Sequence, residues 1–173
     1  VKVDVGPNAT GIVIINVNDE KHYVDVDENG TAIYVIENIQ PGEYNITANF
    51  TGDDNYAKAS NKTNFTIDKL DAEIVIGEVI VDENNNVTVV VEINPKDATG
   101  NVTVTLANGT NITVPIEDGK AEIPVGVLPV NTTMAYNVTY TGDDRYNKTT
   151  KLSEENITVG KLDNLTAEIN VVP

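Results

Sequence analysis

The sequence predicts an all-β protein with two tandem sandwich domains of about seven short strands each, and three observations support this prediction. No segment sustains the 3.6-residue apolar period of a helix, whereas runs of alternating Val, Ile, Thr and Tyr recur along the chain. Clusters of Gly, Pro, Asn and Asp separate these runs, as turns separate strands. The sequence also repeats itself after about ninety residues, a normal size for one small β domain.

Two copies of a hairpin motif carry the repeat most clearly. Residues 51–56 (TGDDNY) return as residues 141–146 (TGDDRY). Each copy follows an alternating run and precedes a short basic patch and a second β-rich run, which predicts a hairpin joining two strands. Further matches are found at residues 9–11 and 98–100 (ATG), 30–32 and 119–121, and 65–70 and 157–162.

The positions at which the repeated segments begin and end set the predicted domain limits. The first domain covers residues 1–69 and lacks its leading strand, and the second covers residues 70–161, with a short junction at residues 69–71. Residues 162–173 repeat the leading segment, so we predict that they are the leading strand of a following repeat or a donor strand. The absence of an initiator Met and of a signal-peptide-like run favours a fragment or a processed product.

Each strand is predicted from its alternation and from the turn signal that ends it. Residues 27–30 (DENG), Pro41-Gly42 and Asn108-Gly109 are the clearest turn signals. In the first domain the strands fall near residues 1–5, 11–18, 21–27, 31–36, 44–51 and 62–68. In the second they fall near residues 72–82, 87–93, 101–107, 110–116, 120–125, 134–141 and 155–160.

Four segments carry a resemblance to a known family: residues 41–56 (PGEYNITANFTGDDNY), 64–69 (NFTIDK), 136–150 (YNVTYTGDDRYNKTT) and 156–161 (NITVGK). They resemble the tandem bacterial-type Ig-like (group 3-like) repeats of adhesin-like surface proteins from methanogenic archaea, over essentially the whole chain. The resemblance implies Greek-key Ig-like sandwiches, an extracellular location at the cell surface, and adjacent Ig-like repeats of the same protein as partners. Because the chain has no Cys and no Trp, an antibody-type core is excluded.

Asn-x-Ser/Thr triplets are the strongest chemical signal, since fifteen are present where random order would give roughly three. They indicate a densely N-glycosylated surface protein, because an attached sugar is bulky and solubilising. The alternative is that Asn and Thr simply alternate on the solvent faces of strands, with no sugar attached. Asn29 and Asn108 lie in tight turns, which leaves as candidates Asn8, Asn45, Asn49, Asn61, Asn64, Asn86, Asn101, Asn111, Asn131, Asn137, Asn147, Asn156 and Asn164.

The charge balance restricts the partners. With 11 Lys plus Arg against 27 Asp plus Glu, the chain carries a net charge of −16, which makes nucleic acid a poor partner. No apolar run is long enough to cross a membrane, so no direct membrane insertion is predicted for this segment. No cofactor is predicted. Asp53, Asp54, Asp143 and Asp144 are weak candidates for binding calcium, because adjacent carboxylates in one turn more often bond local N–H groups.

Catalysis is not predicted. His22 is the only His, and with no Cys and only Ser60 and Ser153 a nucleophile and base cannot be assembled in both repeats. A covalent link between Lys2 and Asn64 is conceivable, but it needs a buried Lys and the repeat does not preserve it.

Two functions follow from these observations. In the first, the chain is a glycosylated stalk or adhesion segment that contacts a host or cell-surface glycan or protein. In the second, it is a fibre-forming subunit, in which residues 166–173 of one copy add a strand to the edge formed by residues 1–5 of another.

Overall fold

The computed structural model describes residues 1–161. Within this range there is no helix, and every strand pairs with its neighbours in antiparallel fashion. The chain divides into two compact units, unit 1 (Val1–Lys69) and unit 2 (Leu70–Pro173). In the described part of the chain, no helix has the length and apolarity needed to cross a bilayer. The segment predicted as a leading or donor strand, 162–173, lies outside the described residues, as does the acceptor candidate Asn164.

Unit 1 is a sandwich of a two-stranded and a four-stranded sheet. Its strands are β1 (Lys2–Asp4), β2 (Ile12–Val17), β3 (Glu20–Asp25), β4 (Thr31–Ile33), β5 (Gly42–Phe50) and β6 (Ala59–Ile67). The sheets have the orders β1-β4 and β3-β2-β5-β6. Alternate residues of β2 and β5 face a small core that includes Val13, Ile15, Ile46 and Phe50.

Unit 2 has nine strands against six in unit 1. Its strands are β7 (Glu73–Val81), β8 (Asn86–Asn94), β9 (Asn101–Leu106), β10 (Asn111–Pro115), β11 (Lys120–Val127), β12 (Thr132–Met134), β13 (Tyr136–Tyr140), β14 (Thr149–Leu152) and β15 (Ile157–Val159). The number is larger because unit 2 has an additional strand at its start and because two pairs of short strands, β12 with β13 and β14 with β15, stand where unit 1 has the single strands β5 and β6. One sheet has the order β11-β8-β7, the other has the order β10-β9-β13-β14, and β12 pairs with β15. The core between the sheets contains Val89, Val91, Val104, Val138 and Ile157, all fully buried.

The chain crosses between the two sheets of unit 2 several times. It leaves the first sheet between β8 and β9, returns between β10 and β11, and leaves again before β13. These crossings are the Greek-key connections predicted for a sandwich, and they bury the inner face of each sheet against the other.

Two short strands were not predicted. The predicted strand over residues 134–141 is found as β13, but β12 precedes it as a separate strand, because the chain changes partners at Ala135. The short basic patch that follows the second motif was not predicted as a strand, but it forms β14. Strand β14 pairs only with β13 in the described residues and its side chains are mostly exposed, so no apolar alternation marks it.

Candidate functional site

The open edge of strand β1 is the clearest difference between the two units. Strand β1 corresponds to β8, since Val3 lies opposite Ala32 as Val91 lies opposite Ala121. The N–H of Val5 donates to the carbonyl of Gly30 at 2.9 Å, and the N–H of Ile93 donates to that of Gly119 at 2.8 Å. In unit 2, however, β7 pairs with the far side of β8, whereas within residues 1–161 β1 pairs with β4 alone.

A groove lies beside this edge of β1 in the described part of unit 1. The groove has a volume of about 420 Å³ and runs between β1 on one side and β5 and β6 on the other. Ile46, Ala48 and Phe50, the inward-facing residues of β5, line it. Their counterparts in unit 2 lie on β13, where Val138 and Tyr140 are fully buried. Ala48, in contrast, is only half-buried.

Strand β7 shows what fills this position in unit 2. Its Ile74 is buried in the core, and Ile76 and Val79 pack against that core. Val89 and Val91 of β8 are fully buried, while Val3 of β1 and its neighbours Val1 and Val5 are half-buried. Within residues 1–161, the edge of unit 1 therefore presents both a strand with one unpaired side and partly exposed apolar side chains.

The first TGDD loop, which joins β5 to β6, is organised by Asp53. Its Oδ1 accepts hydrogen bonds from the N–H of Asn55 (2.8 Å) and the N–H of Tyr56 (2.6 Å). Its Oδ2 accepts from Thr10, through the backbone N–H (2.9 Å) and the hydroxyl (3.3 Å). The N–H of Thr10 and these other donors hold the pKa of Asp53 below its ordinary value, against an opposing effect of burial. The carboxylate thus joins its own loop to the Ala-Thr-Gly segment.

Asp143 repeats this arrangement in unit 2. Its Oδ1 accepts from the N–H groups of Arg145 (2.8 Å) and Tyr146 (2.7 Å), and its Oδ2 accepts from the N–H (2.8 Å) and hydroxyl (3.0 Å) of Thr99. Burial alone would raise the pKa of Asp143, but the hydrogen bonds from these N–H groups outweigh it and lower the pKa to about 2. In each unit, the TGDD loop and the Ala-Thr-Gly segment therefore contact each other through this Asp.

These contacts bear on the calcium candidates. Asp53 and Asp143 each use both carboxylate oxygens to hold the protein's own donors, while Asp54 and Asp144 are exposed. In the part of the chain that the structure describes, no group of three His, Cys, Asp or Glu side chains is placed to hold a metal ion. Calcium needs six to eight oxygen ligands, and the loops do not assemble them from carboxylates.

Tyrosine hydroxyls add a second set of contacts that sequence reasoning missed. Tyr56 Oη donates to the carbonyl of Pro7 at 2.7 Å, and Tyr146 Oη donates to Asp97 Oδ1 at 2.8 Å. Tyr140 Oη donates to the carbonyl of Thr99 at 2.7 Å. The repeated Tyr at the end of each TGDD motif, Tyr56 and Tyr146, was the sequence signal for the first two of these contacts.

Glycine is required in the second position of the TGDD motif. Gly142 has φ +77°, and a Cβ there would lie 2.8 Å from the carbonyl oxygen of Tyr146 and 2.8 Å from the backbone nitrogen of Lys148. Gly52 has φ +88° and a similar but looser environment. The loop backbone folds so closely on itself that a side chain does not fit.

The acceptor Asn side chains are mostly exposed. Asn49 and Asn137 are half-buried, and Asn49 Oδ1 accepts a hydrogen bond from Ser60 Oγ at 2.7 Å. Asn8 (φ 62°) and Asn131 (φ 66°) occupy left-handed backbone that Asn tolerates, which is a structural reason for Asn at those positions. The exposed acceptors within the described residues are Asn8, Asn45, Asn61, Asn64, Asn86, Asn101, Asn111, Asn131, Asn147 and Asn156.

Strand geometry explains why so many triplets occur. In a strand, residues i and i+2 share a face, so an Asn-x-Thr triplet places Asn and Thr outward and its middle residue inward. Val102 and Val138 are such middle residues, and both are fully buried. The outward side chains bond across the sheet, as between Thr105 Oγ1 and Asn111 Oδ1 at 2.7 Å. Both interpretations of the triplets are compatible with this outer face.

The residues considered for covalent chemistry do not assemble a site. The ring of His22 stacks on that of Tyr34 with centroids 4.1 Å apart, and its Nε2 lies 3.6 Å from Glu20 Oε1. His22 is therefore half-buried rather than freely exposed. Lys2 Nζ lies 3.2 Å from Asp4 Oδ1, and its side chain is 62% exposed, which does not meet the burial that an amide link to Asn64 needs.

Comparison with known proteins gives no family assignment: no family model matches the chain, and no curated protein matches it. Two of the solved structures to which the chain is similar are repeat regions or adhesins. A tetra-tandem repeat in the extending region of a large adhesion protein is 18% identical over 86% of this chain and 42% of that chain, with a TM-score of 0.44. A structure concerning host cell surface retention of a 1.5-MDa bacterial ice-binding adhesin is 19% identical over 88% of this chain and 54% of that one, with a TM-score of 0.38. The chain therefore spans about half the length of these two structures.

Proposed function

We propose that this chain is a non-catalytic repeat module of an extracellular adhesin-like surface protein, of the kind it resembles in methanogenic archaea. It acts as a glycosylated stalk or adhesion segment. Its partners are adjacent Ig-like repeats of the same protein and a host or cell-surface glycan or protein. In this role each unit needs a stable fold and a hydrophilic outer surface rather than a catalytic centre.

The exposure of the acceptor Asn side chains in both units carries this proposal. On the sheet formed by β10, β9, β13 and β14, Asn101 and Asn111 are exposed, and Thr103 and Thr113 bond through their hydroxyls at 2.7 Å. A sugar attached to an outward-facing Asn displaces none of the core, because the apolar residues of these strands face inward. The net charge of −16 adds to the solubility that such a surface requires.

Peptide mapping by mass spectrometry, on protein purified from the cells that make it, tests the glycan part. We expect sugar on exposed sites such as Asn111 and none on the half-buried Asn137. Thr113→Ala removes the acceptor triplet at Asn111 and should abolish modification there. Thr105→Ala is the matched control, since Thr105 bonds Asn111 but lies outside its triplet. A mature chain without any sugar would overturn this part of the proposal.

Labelling of intact cells tests the location. A reagent that reacts with amines and does not cross membranes should modify exposed lysines such as Lys62 before the cells are lysed. Labelling that appears only after lysis would contradict an extracellular role.

The open β1 edge favours a second function, a fibre-forming subunit assembled by strand donation. A strand edge that is unpaired within the described residues and lies beside partly exposed apolar residues is a template for pairing with another chain.

A further inference from the structure

We propose that unit 2 binds a lysine side chain of a partner protein, in the cavity between β7 and the segment that follows β14. The cavity has a volume of about 570 Å³, which falls within the range of small-ligand pockets. This inference rests on the proposed function as a surface module that contacts a protein, and it names the chemical group that the module would hold.

The cavity lies between the edge strands of the two sheets, and a bulge in β7 forms one of its walls. The pairing of β7 with β8 shifts register between Ile76 and Val79, which leaves Gly77 and Glu78 outside the regular ladder. Bulges are common beside binding sites because they redirect a side chain. Here the bulge places the exposed residue Glu78 at the cavity.

Tyr136 lines the cavity and is the residue that points to a ligand. It is only 3% exposed, and its hydroxyl has no hydrogen-bond partner among residues 1–161. Its Oη is not one of the fully enclosed oxygen atoms of the described chain, so the surface that it keeps opens into the cavity. Burial, and then the charge of Glu155, raises the pKa of Tyr136, so this carboxylate lies near the hydroxyl. Because buried hydroxyls are normally bonded, this one is available to a group that enters the cavity.

The charges that line the cavity favour a cation. Glu78, Glu154 and Glu155 contribute three negative charges and Lys151 one positive charge, which leaves a net charge of −2. Such a wall attracts cations and repels anions. In the part of the chain that the structure describes, no three His, Cys, Asp or Glu side chains converge as metal ligands, so the wall suits an organic cation better than a metal ion.

The shape of the wall favours lysine among organic cations. Ile76 and Val79 line the cavity and pack against the core, so they offer an apolar surface for a methylene stem. The carboxylates come from two separate segments, and an ammonium group has three donors that point in different directions. A guanidinium group instead matches a single carboxylate in one plane.

Titration of the full chain with the peptide acetyl-Gly-Lys-Gly-amide, followed by two-dimensional NMR, tests the proposal. We expect saturable chemical-shift changes at the cavity, including those of Tyr136 and of the Glu78 amide. The same peptide with an acetylated lysine is the matched control, since acetylation removes the charge and keeps the stem. Equal shifts with the two peptides, or shifts spread over the whole acidic surface, would overturn the proposal.

Variants of the chain identify the groups that hold the ammonium. Tyr136→Phe removes only the hydroxyl and should weaken binding about tenfold, because a hydrogen bond to a charged group is lost. Glu155→Gln should weaken binding roughly threefold, since solvent screens an exposed carboxylate. Glu122→Gln is the matched control, because Glu122 is exposed in the same unit but does not line the cavity, and it should leave the affinity unchanged. Unchanged affinity in Tyr136→Phe, or equal weakening by the two Glu→Gln substitutions, would refute the site.

The two proposals fail separately. Absence of peptide binding leaves glycosylation and surface labelling untouched, and an unglycosylated or intracellular chain that still binds the peptide would overturn the surface function alone.

Discussion

Replacing Asp143 by Asn is the most direct test of what the repeated TGDD motif does. In the structure the carboxylate joins its own loop to Thr99 across the end of unit 2. If the motif serves the fold, the substitution should lower the stability of unit 2 without changing its architecture. Asp144 is the natural control, because it is the adjacent residue, carries the same charge and is exposed.

The contacts give the size of the effect. An Asn side chain keeps one acceptor oxygen for the N–H groups of Arg145 and Tyr146, but it turns an NH₂ group toward the N–H of Thr99. One backbone donor then loses its partner and the remaining bonds lose their charge. Hydrogen bonds to charged groups contribute about 1.5–3 kcal/mol, and partial exposure of this loop favours the lower end, so we expect a loss of about 2 kcal/mol. For a domain of this size that corresponds to a fall in Tm of roughly 8–16 °C.

Differential scanning calorimetry of the full chain measures this difference, and two-dimensional NMR spectra assign each transition to a unit. Asp143→Asn should lower the unit 2 transition by that amount, while Asp144→Asn should change the free energy of unfolding by less than about 0.5 kcal/mol. Asp53→Asn against Asp54→Asn repeats the comparison in unit 1, with the same direction expected. Equal transitions for Asp143→Asn and Asp144→Asn would refute the role assigned to the motif.

Three further predictions follow from the same loop. Because the folded-state pKa of Asp143 is lowered to about 2 from 3.8, the stabilisation by Asp143 is complete above about pH 4 and is lost as the pH falls toward 2. The free energy of unfolding of Asp143→Asn should therefore change less with pH in that window, and an unchanged pH dependence would contradict this. Burial, and then the nearby charge of Asp143, raises the pKa of Tyr140 from 10.0 to about 12, so the contribution of Tyr140 to stability is present below pH 10 and is lost as the pH rises through 12. In a titration followed by tyrosinate absorbance, the step at highest pH should disappear in Tyr140→Phe but remain in Tyr23→Phe, because the ring of Tyr23 is exposed. Gly142→Ala should lower the thermal midpoint more than Gly109→Ala, because both glycines have positive φ but only at Gly142 would the new Cβ meet backbone atoms. Equal effects of the two substitutions would show that φ strain alone matters.

Much of the fold could be predicted because strand alternation is a local property. Residues such as Val102 and Val138 alternate with Asn and Thr, which marks both the strand and its inward face. Strand β14 was missed because an edge strand with exposed side chains needs no apolar pattern. The internal repeat also showed that the leading segment of the second unit, residues 72–82, recurs near residues 162–173.

The sequence by itself determined the class of fold, the repeat and the positions of the Asn-x-Thr triplets, because each depends on residues close together in the chain. Only the tertiary structure decided that Asp143 bonds Thr99, forty-four residues away, since that contact exists only when two loops meet at one end of the sandwich. It also decided that the inner residues of β5 line an open groove, whereas those of β13 are buried. Burial depends on which strands become neighbours, and loops of different length bring those neighbours together across the fold.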